Sequence, residues 1–380
     1  MKILYIANDS SVFGGANNSL IDMVYAMKEL GQEPVVLTWS KNQLSDELSR
    51  HGIPCTIFHF LPCVCPIDDY PGFLLRIKMH IYNQKRVFLS RKIIRDIAPD
   101  IIHSNASNID FGALIAKYHH IPHVWHVREL LKEGVHLCPI FPENQKKLFQ
   151  KADCAIVISN FIRRNMVFSN SKTHTIFNGF SIEKYLLNKE CIFSLEEGIR
   201  LLYVGVIRPQ KGTMDAVLAV KELKEKYKLT RVTLKIVGSS QENYDEKLKE
   251  IIEKNDLTDN IEFYEPTNDL KPYREWADIT LSCSKNEALG RVTVEGMLSG
   301  TLVIGADSGA TPEIISDEET GFIYTPEDHK ALAEIIYKAY SAPEKSKAIA
   351  SKGREFAKET FDRIVFAKKV LEIYESVLNK

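Results

Sequence analysis

The sequence predicts an α/β protein built from two doubly wound parallel-sheet domains, and three observations carry that reading. A chain of 380 residues is long enough for two domains of ~150–200 residues each. Short apolar runs alternate with longer amphipathic stretches along most of its length, as strands and crossover helices do. One irregular stretch, Leu186 to Glu197, interrupts the alternation, which then restarts.

The first series reads as buried strands at Ile3–Ala7, Glu33–Thr38, Ile101–His103, His123–His126 and Ala155–Ile158, with helical patterns between them. After Asn178-Gly179 and the irregular stretch, the second series runs through Arg200–Val204, Thr233–Val237, Ile261–Tyr264, Ile279–Ser282 and Leu302–Ile304. Parallel strands joined by crossover helices need both sheet faces covered, so each series forms its own layered domain. Ligands are expected at the carboxyl ends of the strands, in a cleft between the domains. The last segment, Ile364 to Leu378, places Ile364, Val365, Ala367, Val370, Leu371, Ile373, Tyr374 and Val377 on an amphipathic helix that suits either domain.

Composition removes several classes of function. Lys and Arg number 49 against 50 Asp and Glu, for a formal charge of −1, so no overall field favours nucleic acid and any anion site is built locally. Apolar runs are only a few residues long, against the ~20 a bilayer-spanning helix needs. The start, Met1-Lys2-Ile3-Leu4-Tyr5-Ile6-Ala7, is too short for the apolar region of a signal peptide and reads as the first strand of a cytoplasmic protein. The cysteines, seven in number and without a C-x-x-C pair, are expected to be reduced thiols. Cys55, Cys63 and Cys65 have no suitably spaced histidine to complete a metal set.

Missing motifs narrow the chemistry further. No G-x-G pair exists and no glycine precedes a lysine, so neither a dinucleotide fingerprint nor a P-loop is present. A G-x-S-x-G elbow, H-E-x-x-H and Asp-x-Asp are likewise missing from the sequence.

The strongest positive signal is Ser284-Lys285-Asn286-Glu287-Ala288-Leu289-Gly290-Arg291-Val292-Thr293-Val294-Glu295, directly after the apolar run Ile279–Ser282. A helix starting near Gly290 offers the free backbone N–H groups of Leu289 to Val292 to an anion such as a diphosphate. Glu287 and Glu295 flank that position, and carboxylates suit hydroxyl pairs, a ribose on one side and a hexose on the other. The plainer alternative makes Glu287 a helix cap and Glu295 a solvated face residue. Val204-Gly205-Val206-Ile207-Arg208-Pro209-Gln210-Lys211-Gly212 reads as strand, turn and helix start carrying two cations, Arg208 and Lys211, which suits a leaving group on which charge builds. His126 ends an expected strand in His123-Val124-Trp125-His126-Val127-Arg128-Glu129.

Glu287 and Glu295, with Gly290 between them, resemble the E-x7-E motif of the retaining glycosyltransferases of family 4. Asp307-Ser308-Gly309-Ala310-Thr311-Pro312-Glu313, Thr320-Gly321-Phe322, Thr175-Ile176-Phe177-Asn178-Gly179-Phe180 and the turn Phe13-Gly14-Gly15-Ala16-Asn17 resemble further segments of that family, so that the likeness runs along essentially the whole chain. The family places its arginine where this chain has Val206, with Arg208 as the substitute.

The resemblance implies the GT-B architecture of two Rossmann-like domains facing across a cleft. An acceptor domain would span residues 1–182, a nucleotide-sugar domain 183–362, and helix 363–380 would return to the first. It implies a retaining, metal-independent hexosyltransferase with no cofactor. Its donor would be a UDP- or GDP-linked sugar and its acceptor a glycan or a lipid-linked acceptor, in bacterial cell-envelope polysaccharide biosynthesis. His126, Arg208, Lys211 and Glu287 are the catalytic candidates. Gly14, Gly15, Ala288, Leu289, Gly290, Arg291, Val292 and Glu295 are the donor-binding ones, with Tyr264 expected either in the base pocket or in the core. Ser104, Asn105, Asn108, Arg128 and Glu129 are acceptor candidates, Arg128 and Glu129 alternatively forming a local ion pair.

Residues 73–97 hold Arg76, Lys78, Lys85, Arg86, Arg91, Lys92 and Arg95 with Asp96 as the only acid, interleaved with apolar positions. Such a helix either lies on an anionic membrane surface or packs on the first domain with a solvated basic face. The alternatives to a transferase are a sugar-nucleotide epimerase, a phosphorolytic enzyme or a non-catalytic sugar-nucleotide binding protein on the same plan.

Overall fold

A computed structural model describes residues 1–7, 15–132, 134, 136–166, 171–188 and 198–379. The chain forms two compact units, Met1–Phe180 with Asp362–Lys380, and Ser181–Phe361. Both are parallel α/β sheets.

The first unit contains β1 (Lys2–Ile6), β2 (Glu33–Thr38), β3 (Cys55–Ile57), β4 (Val64–Pro66), β5 (Ile101–Ser104), β6 (His123–Val127), β7 (Leu137–Pro139), β8 (Cys154–Val157) and β9 (Thr173–Thr175). Its main sheet has the order β3-β2-β1-β5-β6-β8-β9, and β4 pairs with β7 in a separate antiparallel ribbon. The central strands are apolar on both faces because helices cover both, and Ile3, Leu4, Tyr5 and Ile6 are all fully buried. The last helix, Arg363–Leu378, begins at Asp362, whose carboxylate accepts from the amides of Ile364 and Val365. That helix packs Phe366, Val370, Ile373 and Tyr374 into the core formed by Ile3, Tyr5 and Val24. Gly179 permits this approach, since a side chain there would come within 2.6 Å of the Arg363 backbone.

The second unit contains β10 (Ile199–Val204), β11 (Val232–Val237), β12 (Ile261–Tyr264), β13 (Ile279–Ser282), β14 (Leu302–Ala306) and β15 (Phe322–Tyr324), in the order β12-β11-β10-β13-β14-β15. Strand β11 flanks β10 on one side and β13 on the other, so the crossovers change direction there. The first unit has the same reversal between β1 and β5. In such sheets ligands bind beyond the carboxyl ends of the strands at the reversal. No helix among the described residues is long and apolar enough to cross a membrane.

Candidate functional site

In the second unit, the loops leaving β10 and β13 meet at the reversal. The loop after β10 closes in a single tight turn, Pro209–Lys211, followed by Gly212 at φ +66°. A Cβ at Gly212 would fall 2.1 Å from the Cys283 carbonyl oxygen, so only glycine lets this turn sit on the end of β13. The Lys285 amide donates to the Gln210 carbonyl at 2.9 Å and joins the two loops. The result is a close ion pair: Lys211 Nζ lies 2.7 Å from Glu287 Oε2, with the two side chains 26% and 24% exposed.

Glu287 is held from behind by the loop after β14. Gly309, at φ +63°, packs so tightly that a Cβ would lie 2.4 Å from the Glu287 carbonyl oxygen. The Ala310 amide donates to that same oxygen at 2.8 Å, and the Ser308 hydroxyl donates to the Lys285 carbonyl. Ahead of Glu287 the helix Arg291–Leu298 starts at Gly290, φ +94°, with no side-chain cap and no acid in its first turn. Glu287 therefore does not cap this helix. Leu289 and Gly290 are buried, while Ala288, Arg291 and Val292 are half-buried beside Lys211 and Glu287 in the joined loops.

Glu295 is buried, which excludes the solvated-face alternative. Its Oε2 accepts from Arg274, and its Oε1 lies 3.4 Å from Arg291 Nε, one turn earlier on its own helix. Arg291 also donates to the Tyr185 hydroxyl at 3.1 Å, and the Arg274 guanidinium stacks 5.3 Å from the Tyr185 ring centroid. Arg274 and Tyr185 escaped the sequence reading because nothing local marks them. They lie 21 and 110 residues from Glu295 in the chain. Arg208 stands at the start of the turn carrying Lys211; its Nη1 is 3.4 Å from Gln241 Oε1, and its buried Nε has no partner among the described residues. Tyr264 ends β12 half-buried, donates to Glu262 and meets Tyr273 edge-on at 5.1 Å.

In the first unit His126 is fully buried on β6. Burial, with Arg128 and His103 nearby, holds its pKa well below the usual histidine value, so the ring is neutral at physiological pH. Arg128 Nε donates to the carbonyl and side-chain oxygens of Asn105, each at 3.0 Å, and its Nη1 donates to Asn178.

The acceptor candidates lie around the ends of β5 and β6. Strand β5 runs one residue further than expected and takes Ser104 into the sheet, where it is fully buried with its hydroxyl 3.0 Å from His123 Nε2. Asn105 is also fully buried, and Arg128 is buried against it. Of these three, Arg128 reaches His126, its Nη2 lying 3.3 Å from His126 Nδ1. Glu129 keeps partial exposure, and its carboxylate accepts from the Ser107 amide and hydroxyl at 2.9 and 2.7 Å. Asn108 is half-buried; its carbonyl accepts from Cys63 Sγ, and its Oδ1 has no partner among the described residues. Gly15 opens the helix Gly15–Glu29 in an exposed position, and Gly14 lies outside the described residues.

Two family models tile the chain: "Glycosyltransferase Family 4" matches residues 13–184 and "Glycosyl transferases group 1" matches residues 188–356. The chain belongs to glycosyltransferase family 4. Two curated relatives are similar to this family 4 chain. One is an uncharacterised 41.2 kDa protein in the cps region of Klebsiella pneumoniae, 28% identical over 244 residues, which are 61% of this chain and 64% of that protein. The other is the lipopolysaccharide core biosynthesis mannosyltransferase of Rhizobium leguminosarum, 29% identical over 175 residues, 46% of this chain and 50% of that one. The match thus spans between half and two thirds of these relatives. In fold, this family 4 chain resembles Anabaena HepE crystallised with UDP, with a TM-score of 0.78 at 22% identity over 99% of this chain and all of that one. HepE has also been crystallised with UDP-glucose. The architecture is GT-B, a pair of parallel-sheet α/β units.

Proposed function

We propose that this family 4 glycosyltransferase moves a hexose from a nucleoside diphosphate sugar to a glycan or lipid-linked acceptor, with retention of configuration and without a metal ion. The observation that carries this reading is the Lys211–Glu287 pair at 2.7 Å beside the uncapped helix start at Gly290. Lys211, Arg208 and the Ala288–Val292 backbone would receive the diphosphate, supplying the positive charge that the departing phosphate needs as the glycosidic bond breaks. Glu287 would hold the sugar hydroxyls. The free lone pairs of Glu295, with Arg274 and Arg291 fixing the carboxylate, would accept from the ribose. Gly14, Gly15 and Tyr264 complete the proposed donor set, His126 contributes a hydrogen bond to a sugar hydroxyl, and Glu129 serves the acceptor.

In this reading the acceptor oxygen forms its bond to the anomeric carbon on the face from which the phosphate oxygen leaves. The leaving oxygen takes the electron pair of the broken bond and then the acceptor's proton, so no protein nucleophile is required. A UDP-linked donor is favoured by the UDP-bound relative of the same fold. A role in cell-envelope polysaccharide assembly is favoured by the lipopolysaccharide relative.

The reading extends to an anionic lipid surface. Of the helix Phe73–Leu89 only Asn83 and Val87 are buried. Leu74, Ile81 and Phe88 recur every seventh residue and are 74%, 61% and 53% exposed, beside the equally spaced and exposed Lys78, Lys85 and Lys92. An apolar stripe with cations along one edge and no acid within the helix suits the boundary between anionic headgroups and acyl chains.

The deciding experiment for the donor is a thermal-shift panel of UDP, GDP, ADP and CMP and their sugars, with and without chelator, because a ligand of the native state raises the midpoint. Stabilisation by one diphosphate regardless of chelator is expected. No response, or a response only with metal, overturns the phosphate site and brings the epimerase and binding-protein readings forward.

A further inference from the structure

The last helix contributes a side chain to the surroundings of His126. Tyr374 is fully buried, and its hydroxyl lies 2.6 Å from His103 Nδ1. The other nitrogen of that ring, His103 Nε2, lies 3.3 Å from His126 Nδ1. Arg128 Nη2 reaches the same His126 Nδ1, also at 3.3 Å. Tyr5 closes the group from β1: its ring lies 5.1 Å from His103, and its hydroxyl can accept from Tyr374 at 3.4 Å, a much longer path for the Tyr374 proton than the 2.6 Å to His103 Nδ1.

Proton counting fixes the order of these bonds. A guanidinium only donates, so His126 Nδ1 is an acceptor and its ring proton sits on Nε2. His103 Nε2 faces the same lone pair and must donate as well, which leaves His103 Nδ1 to accept the Tyr374 proton. The outer edge of the second ring is then an N–H donor. His126 Nε2 is buried and has no partner among the described residues, an unfavourable arrangement unless a ligand accepts from it.

We propose that Tyr374 and His103 are positioning residues that, with Arg128, lock His126 as the neutral Nε2–H tautomer and so make it a permanent hydrogen-bond donor. The proposal rests on the reading of His126 as a ligand contact only for its effect on turnover. The tautomer itself is a property of the free protein. Each influence resolved on His126, burial first and then Arg128 and His103, disfavours its charged form. Arg128 repels a second positive charge, while His103, Tyr5 and Tyr374 are neutral near pH 7, their titrations displaced by burial.

Long-range 1H–15N correlation spectra of protein labelled at histidine test this directly. Wild type is expected to show His126 as a single Nε2–H tautomer that takes no second proton between roughly pH 5 and 8, the range in which ordinary histidines titrate. Tyr374→Phe keeps the ring and the packing but removes the donor to His103. It is expected to give mixed tautomers at both histidines and about a tenfold lower kcat, the loss of one well-placed neutral hydrogen bond. His103→Gln, whose amide N–H can still reach His126 Nδ1, should keep the wild-type tautomer, whereas His103→Leu should lose it. A wild-type Nδ1–H tautomer, or an unchanged His126 spectrum in both Tyr374→Phe and His103→Leu, overturns the proposal. A changed tautomer with unchanged turnover keeps the lock and instead removes His126 from the site.

Discussion

Lys211 and Glu287 come from loops after two different strands and meet at 2.7 Å, so the cation and the carboxylate assigned to leaving group and sugar are already each other's partners. Each holds the other in place. Removing one leaves a three-quarters-buried charge without its partner and deprives the reaction of a contact that strengthens as charge develops. Lys211→Ala and Glu287→Ala are each expected to lower turnover at least ~100-fold, the loss typical of one transition-state contact. Because the two act as a unit, the double variant should fall little further than either single one. Steady-state rates of nucleoside diphosphate release measure both, and near-normal turnover in both single variants sinks the site assignment.

The support behind Glu287 predicts a contrast between two glycines. Gly309 combines φ +63° with a Cβ position 2.4 Å from the Glu287 carbonyl oxygen, whereas Gly31 has φ +75° and open space around its Cβ. Gly31→Ala therefore bears only the left-handed backbone penalty of about 1–2 kcal/mol. Gly309→Ala adds a backbone collision that cannot relax without displacing Glu287. Its unfolding midpoint should drop by several degrees more than that of Gly31→Ala, at about 2–4 °C per kcal/mol for a unit of this size. Equal shifts in thermal unfolding would mean that the loop after β14 does not clamp the site.

Buried histidines predict how stability depends on pH. Burial lowers His123 to about 3, and His103 and His126 also sit well below their ordinary value. Below about pH 6.5 the unfolded chain takes up protons that the native state refuses, so native stability falls with pH. The contribution of His123 is fully present above its unfolded value and is lost progressively down to about pH 3. Asp110, raised by burial to about 6, has the opposite sign and favours the native state as pH falls through that range. Burial also lowers His119 and raises Glu129, so four histidines stand against two carboxyls and the melting temperature should decline from pH 7 to 5. His123→Gln should flatten the decline, and a profile as steep as that of wild type counts against the assignment.

Much of the fold was legible because ten strands of four to six residues are rich in apolar positions, five of them, β1, β2, β8, β10 and β14, with a continuous apolar run of at least three residues. The strands not anticipated, β3, β4, β7, β9 and β15, have only three residues each, too short for a period to show. Glu287, Lys211 and Gly290 were legible because they share two short segments that also carry the turn glycines. Arg274, Tyr185, His103 and Tyr374 were not, since their partnerships are made only when distant elements pack together. The end of β5 falls one residue later than expected, at Ser104, whose hydroxyl lies 3.0 Å from His123 Nε2. A serine at the end of an apolar run looks like a loop residue unless His123, on the neighbouring strand, is known to accept its company.

The exposed stripe on Phe73–Leu89 gives the last prediction. Leu74, Ile81 and Phe88 face solvent together with Lys78, Lys85 and Lys92. Apolar insertion and headgroup attraction act in parallel there, so each should be separately removable. Sedimentation with vesicles of phosphatidylcholine, with and without phosphatidylglycerol, is expected to capture the protein only on the anionic ones, and less so as salt rises. Exchanging the three lysines for glutamate forfeits about 1 kcal/mol per cation and adds repulsion, a loss of 100-fold or more in partitioning. Leu74→Ser, Ile81→Ser and Phe88→Ser combined should also abolish capture with the charge left intact. Equal capture by neutral vesicles, or none by either, overturns the membrane contact. A dimer in solution that disappears in the serine variant would assign the stripe to a second copy of the chain instead.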